Sequence, residues 1–103
     1  MSRFLHPAPE DIDLTGLLAA LGDPTRLKIV RLLAEANCDG KNCAQSAPFP
    51  DMPRSTLTGH FRVLREAGLV RTVKKGVENI NMLRREELEA RFPGLLNTIL
   101  AYR

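Results

Sequence analysis

Apolar residues recur at helical spacing in four places along this chain and at alternating spacing in one. Leu14, Leu17, Leu18 and Leu21 form a first stripe, and Leu27, Ile29, Val30 and Leu33 a second. Leu57, Phe61 and Leu64 form a third, and Leu95, Leu96, Ile99 and Leu100 a fourth. Each stripe puts its apolar side chains on one helical face, which must pack inward. Residues 69–74 and 77–83 have strand character, with Ile80 and Met82 alternating against Asn79 and Asn81, and Lys75-Gly76 reads as the hairpin turn between them. The punctuation agrees. Glu10, Asp11 and Asp13 open the first helix and Gly22 ends it. Asp23 caps the second, with Pro24 at its first position, and Gly68 stops a long helix over 54–67. Residues 1–9, broken by Pro7 and Pro9, read as a flexible arm, and a short helix is expected over 41–47 within the irregular stretch 37–53. The last helical region starts near residue 85, is interrupted at Pro93-Gly94 and completes a C-terminal segment over 84–103. The expected architecture is one domain over 1–103, mainly α with a two-stranded β-hairpin, in the element order of a winged helix-turn-helix.

A chain of 103 residues is large enough for one core and too small to divide into two. No run of eighteen apolar residues is present, and the N-terminus M-S-R-F-L-H-P-A-P-E lacks a secretory apolar region, so a cytoplasmic protein with no membrane association is expected. One Tyr and no Trp disfavour an aromatic platform for single-stranded nucleic acid. The net charge of +3 matters less than its placement. Arg54, Arg62, Arg65, Arg71, Lys74 and Lys75 against Glu66 alone give residues 54–75 a net charge of +5, leaving −2 on the remainder. That is the footprint expected of a duplex-binding surface, although a solvated charged face has similar composition. There is no carboxylate pair in a pocket-like context, no glycine-rich phosphate loop and no Ser/His/Asp or Cys/His arrangement. No enzymatic activity and no cofactor are expected.

The long helix carries the most informative chemistry. Ser55, Thr58, Gly59 and Arg62 recur at i, i+3, i+4 and i+7 on the face away from Leu57 and Phe61. Short hydroxyls, one guanidinium and a position without a side chain suit the edges of base pairs and the phosphates beside them. The plainer alternative is an ordinary amphipathic helix with its polar side in water. Gly59 weighs against that alternative, because a mid-helix glycine costs about 1 kcal/mol relative to alanine and close approach of a partner is one reason to keep it.

Taken together, L-G-D-P-T-R-L-K-I-V-R-L-L-A-E over 21–35 and S-T-L-T-G-H-F-R-V-L-R-E-A-G-L-V over 55–70 resemble the ArsR/SmtB-type bacterial repressors, over roughly residues 11–83. F-P-G-L-L at 92–96 is similar to the tail of one branch of that family. The resemblance implies a homodimeric repressor on double-stranded DNA with an inverted-repeat operator, from which an effector releases it. It puts the dimer interface on the first and last helices, at Leu14, Leu17, Leu18, Leu21, Leu95, Leu96, Ile99 and Leu100. Two leucine-rich helices at opposite ends of a small chain also leave apolar surface that a self-complementary dimer would bury; packing on each other within one subunit is the other solution. Position by position, the resemblance turns Ser55, Thr58, His60 and Arg62 to the major groove and sets Arg54 and Thr56 beside phosphate at the helix start. It assigns Arg71, Lys74 and Lys75 to the wing. His60 fits equally a structural bridge between recognition helix and hairpin. Where the family often has a serine cap this chain has Pro53, so Asp51 or Met52 is a candidate helix terminus.

The effector is less legible. The family's tight Cys-x-Cys metal pair is replaced by Cys38 and Cys43, five residues apart across Asp39-Gly40, and no histidine lies beyond His60. Two thiolates make an incomplete tetrahedral zinc set, completed only by His6 or a partner subunit, so no metal site is assigned. A reversible disulfide between Cys38 and Cys43 is a second reading, with Lys41 favouring a thiolate. Two inert small apolar residues are the third. As a whole, the alternative to a DNA-binding regulator is a winged helix used for protein interaction, or a metal-responsive repressor with a non-standard cysteine site.

Overall fold

The computed structural model describes residues 5–36 and 51–102; the short helix expected over 41–47, and Cys38 and Cys43 with it, lie outside the described residues. A 3-10 turn at Pro9–Asp11 precedes α1 (Leu14–Leu21), α2 (Pro24–Ala36), α3 (Arg54–Ala67), β1 (Val70–Lys75), β2 (Glu78–Leu83), α4 (Arg85–Arg91) and α5 (Leu95–Ala101). The strands pair antiparallel, with Val70 opposite Leu83, Thr72 opposite Asn81 and Lys75 opposite Glu78. Helices α1, α2 and α3 pack on one another and α3 runs straight into the hairpin, a winged helix-turn-helix.

Each helix follows from its sequence. Asp23 accepts the Arg26 N–H at 3.0 Å and caps α2, with Pro24 at the first turn. Helix α3 buries Leu57, Phe61 and Leu64 against Leu17, Ala20, Ile29 and Val30. Its end is set by Gly68, whose φ of +92° turns the chain so that the Gly68 N–H reaches Arg65 O and the Leu69 N–H reaches Leu64 O at 3.0 Å.

Three expectations change. The acidic run does not open α1: Glu10 and Asp11 lie in the 3-10 turn, Ile12 is buried at 2 % exposure, and Asp13 caps α1 by accepting the Gly16 N–H. Ile12 occupies the space beside Gly68, and its extended backbone separates the 3-10 turn from α1. The hairpin turn falls on Gly76 and Val77 rather than Lys75-Gly76, because Lys75 is still paired with Glu78. Asn81, expected on the wet side of the hairpin, is fully buried, as is its neighbour Ile80. Since consecutive strand residues face opposite ways, the hairpin is covered on both sides at this level.

The Gly68 contact is testable. A Cβ there would stand 2.5 Å from Ile12 Cγ1 on a left-handed backbone, so Gly68→Ala is expected to cost roughly 2–4 kcal/mol in urea denaturation. On an Ile12→Ala background the added cost should shrink, since the clash is then relieved.

Candidate nucleic-acid interface

Helix α3 presents two unlike faces. Opposite the buried stripe, Ser55, Thr58, Gly59 and Arg62 are exposed, with Arg54 and Thr56 exposed at the helix start. Nothing lies within 4 Å of a Cβ built at Gly59, so the protein itself does not require glycine there. Pro53 occupies the cap position without a side-chain cap, and α3 begins at Arg54, with the Leu57 N–H reaching Pro53 O at 3.1 Å. The helix start is thus not moved back to Asp51 or Met52. Its first-turn N–H groups and the positive end of the helix dipole sit beside Arg54 and Thr56, an arrangement that favours an anion. Fourteen residues make a rod about 21 Å long, and the exposed Glu66, one turn beyond Arg62, marks the end where phosphate is repelled.

His60 turns aside from this face. It is half-buried, with Nδ1 3.4 Å from Arg26 Nη1 and 3.9 Å from Asp23 Oδ2. Arg26 in turn donates from Nε to Ala20 O at 2.7 Å. His60 therefore joins α3 to the α1–α2 corner and does not bridge to the hairpin. That bridge is made by Arg65, whose Nη1 reaches Thr72 Oγ1 at 3.4 Å. Burial, and then the Arg62 charge, lower the Arg65 guanidinium pKa. Asp23, held by the Arg26 N–H, has its carboxyl below the usual range.

On the wing, Lys74 and Lys75 are exposed at the far end of β1, beside a Val77 that is 96 % exposed at the tip. Arg71 sits at the root, and its Nη2 lies 3.3 Å from Glu87 Oε1. Glu87 also receives Arg84 Nε at 2.8 Å and Nη2 at 2.9 Å. These bonds, Arg84 first, pull the Glu87 carboxyl down from 4.5 to about 2, so the group stays ionised at any ordinary pH. Lys74 and Lys75 are the exposed wing cations, while Arg71, its side chain 40 % exposed, also braces α4 through Glu87. Sequence reasoning missed Arg65, Arg84 and His6 as organising residues; Arg84 and Glu87 at i, i+3 were the available signal.

Of the leucine positions, Leu17, Leu21 and Leu96 are buried in the subunit's own core, whereas Leu14 and Leu18 are 44 % and 48 % exposed. Leu95, Ile99 and Leu100 are half-buried. The stripe is therefore shared between the core and the surface. No group of three or more His, Cys, Asp or Glu residues placed to hold a metal ion occurs among the described residues, and no helix among them is long and apolar enough to cross a membrane.

An exposed polar face on the second helix of a helix-turn-helix, followed by a basic wing, is the arrangement expected of a DNA-binding transcriptional regulator. The comparisons agree. Residues 23–72 match the family model described as bacterial regulatory protein, arsR family. An uncharacterized HTH-type transcriptional regulator of Bacillus subtilis is 31 % identical over 81 % of this chain and 82 % of its own length. A second such regulator, from Methanocaldococcus jannaschii, is 38 % identical over 61 % of this chain and 68 % of its own. The crystal structure of an ArsR family transcriptional regulator superposes with a TM-score of 0.63 at 25 % identity, covering 96 % of this chain and 99 % of that one. The chain belongs to the arsR family of bacterial regulatory proteins. Members of that family are DNA-binding regulators and not enzymes.

Gly59 separates folding from binding. Gly59→Ala is expected to stabilise the free protein by about 0.5–1 kcal/mol through helix propensity while weakening duplex binding, measured by thermal denaturation and fluorescence anisotropy on the same samples.

Proposed function

We propose that the protein is a homodimeric repressor that lays α3 of each subunit into successive major grooves of an inverted-repeat operator. The observation that carries this reading is the exposed Ser55, Thr58, Gly59 and Arg62 face of α3 beside the open Lys74 and Lys75 of the wing. In it, Arg62 and the hydroxyls of Ser55 and Thr58 read base edges, Arg54 and Thr56 hold phosphate at the helix start, and Lys74 and Lys75 neutralise backbone phosphates or enter the minor groove. Arg71 and His60 act from behind this surface, through Glu87 and through Asp23 and Arg26. The site needs no cofactor. The cytoplasm, where the DNA is, is its place of action.

Two subunits are needed for two half-sites, which lie about 34–36 Å apart, one helical turn of DNA. The surface that would join them is the outer part of the leucine stripes, at Leu14 and Leu18 with Leu95, Ile99 and Leu100. An effector then lowers operator affinity. Cys38 and Cys43, in the segment leading to α3, are the candidate sensor through a reversible disulfide.

Fluorescence anisotropy with duplex from the region upstream of the protein's own gene tests the reading, on reduced and on mildly oxidised protein. Arg62→Ala is expected to lose about 1–3 kcal/mol of binding and to relax sequence preference. Lys75→Ala should weaken all sequences alike and lower the slope of log affinity against log salt by about one. Release on oxidation that Cys38→Ser abolishes would establish the thiol switch; indifference to oxidation would assign the effector elsewhere. Leu18→Glu is expected to give a folded monomer of 11.5 kDa in sedimentation, and an unchanged dimer would remove α1 from the interface.

A further inference from the structure

His6 and Pro7, expected within a flexible arm, are instead tied down, together with Ile12, to β1, the β2–α4 junction and α4. His6 Nε2 accepts the backbone N–H of Thr72 at 2.9 Å. Pro7 O accepts Arg84 Nη1 at 2.9 Å, and Ile12 O accepts Arg91 Nε at 2.6 Å. Thr72 stands opposite Asn81, and its N–H faces away from β2, as it does at a non-hydrogen-bonded antiparallel pair. The residue is only 2 % exposed, so an imidazole nitrogen receives a donor that neither β2 nor bulk water serves. The neighbouring Pro7 carbonyl is engaged by Arg84, and the acceptor for Thr72 is the His6 ring nitrogen. Thr72 also donates from Oγ1 to Asn81 Oδ1 at 2.7 Å and receives Arg65 Nη1 from α3. One residue thereby joins the N-terminal segment, both wing strands and the recognition helix.

We propose that neutral His6 is a positioning residue for DNA binding: its Nε2 latches the N-terminal segment to the edge of β1 and steadies the wing against α3, and protonation undoes the latch. The DNA consequence rests on the duplex-binding reading above. An imidazolium has no lone pair for the Thr72 N–H. The groups facing it are three cations, Arg71 from β1, Arg84 from the β2–α4 junction and Arg65 from α3, against one carboxylate, Glu87 of α4. Burial first, then Arg71, Arg84 and Arg65, lower the imidazole pKa from 6.5, with Glu87 opposing. The released segment therefore binds a proton more readily than the docked one. Docking is complete above 6.5 and is lost as pH falls through the lower docked value. This is opposite in sign to ordinary electrostatics, in which acidification adds positive charge and strengthens phosphate binding.

The test uses the full chain without DNA first. The His6 imidazole titration and the hydrogen exchange of the Thr72 amide are followed by NMR from about pH 5.5 to 8, for wild type, His6→Gln and His6→Leu. Gln supplies an acceptor that does not titrate, and Leu supplies none. Duplex affinity is then read over the same range at constant salt. Expected are a His6 pKa below 6.5 and Thr72 protection that fades with acid in wild type, persists in His6→Gln and is absent in His6→Leu. Wild-type affinity should fall by up to about tenfold per pH unit per subunit below the docked pKa, while His6→Gln stays flat and His6→Leu is weak throughout. A His6 pKa at or above 6.5, equal Thr72 exchange in wild type and His6→Leu, or affinity rising alike in wild type and His6→Gln would each overturn the proposal. Absence of duplex binding at every pH, with the titration as expected, would overturn the duplex reading and the DNA consequence while upholding the latch.

Discussion

The placement of the wing depends on a buried guanidinium. Arg84 is 4 % exposed and stands where β2 ends and α4 begins. Its backbone N–H returns to Leu69 O at 2.9 Å, closing the base of the hairpin just where α3 has ended. Its side chain grips Glu87 through two bonds and Pro7 O through a third. A charge so buried is tolerated only when its donors are met, and Glu87, ionised down to about pH 2, meets two of them. Because Glu87 also receives Arg71 of β1, the hairpin root, α4 and the N-terminal segment share one charged knot. Removing Glu87 would leave the buried Arg84 charge with only the Pro7 carbonyl as a partner among these groups.

On that base, α3 does two jobs with one amphipathic pattern. Leu57, Phe61 and Leu64 commit it to the core, and Arg65 and His60 fix its roll on either flank, one against the wing and the other against the α1–α2 corner. The outward face is left open, with an empty position at Gly59 and an uncapped first turn. A helix held on three sides and open on the fourth suits a ligand that supplies its own shape and negative charge.

The sequence carried α3 to the residue, because burial there is periodic and Gly68 is an unambiguous stop. The second helix was equally legible from Asp23 and Pro24. What failed was decided by distant partners. Ile12 sits alone among acidic residues, and its burial depends on the space beside Gly68, more than fifty positions away. Asn81 reads as polar and outward, yet it is buried and accepts the Thr72 hydroxyl at 2.7 Å; its Nδ2 has no hydrogen-bond partner among the described residues. His60 was expected at the major groove or as a bridge to the hairpin, whereas the packing of α3 sets it beside Arg26 and Asp23 at the α1–α2 corner. The leucine stripes were found correctly as stripes, but periodicity reports which face is apolar and not what covers it. Leu17 and Leu21 proved to be core, and Leu14 and Leu18 surface.

That division of the first stripe has a mechanical meaning for the proposed dimer. Leu17 and Leu21 lie under α3 in the same core cluster as Leu57 and Leu64, one turn from the exposed Leu14 and Leu18. A partner docked on the outer leucines would press on a helix eight residues long whose inner side supports the recognition helix. Close-packed interiors transmit such displacements with little damping. The same holds at the other end, where Arg31 of α2 donates to Tyr102 O at 2.6 Å and ties the end of α5 to the helix that carries His60's partner Arg26. In the proposed dimer, the packing of α1 and α5 would therefore bear on the roll of α3. An effector that shifts α1 against α5 by a small amount would reach the DNA face without touching it.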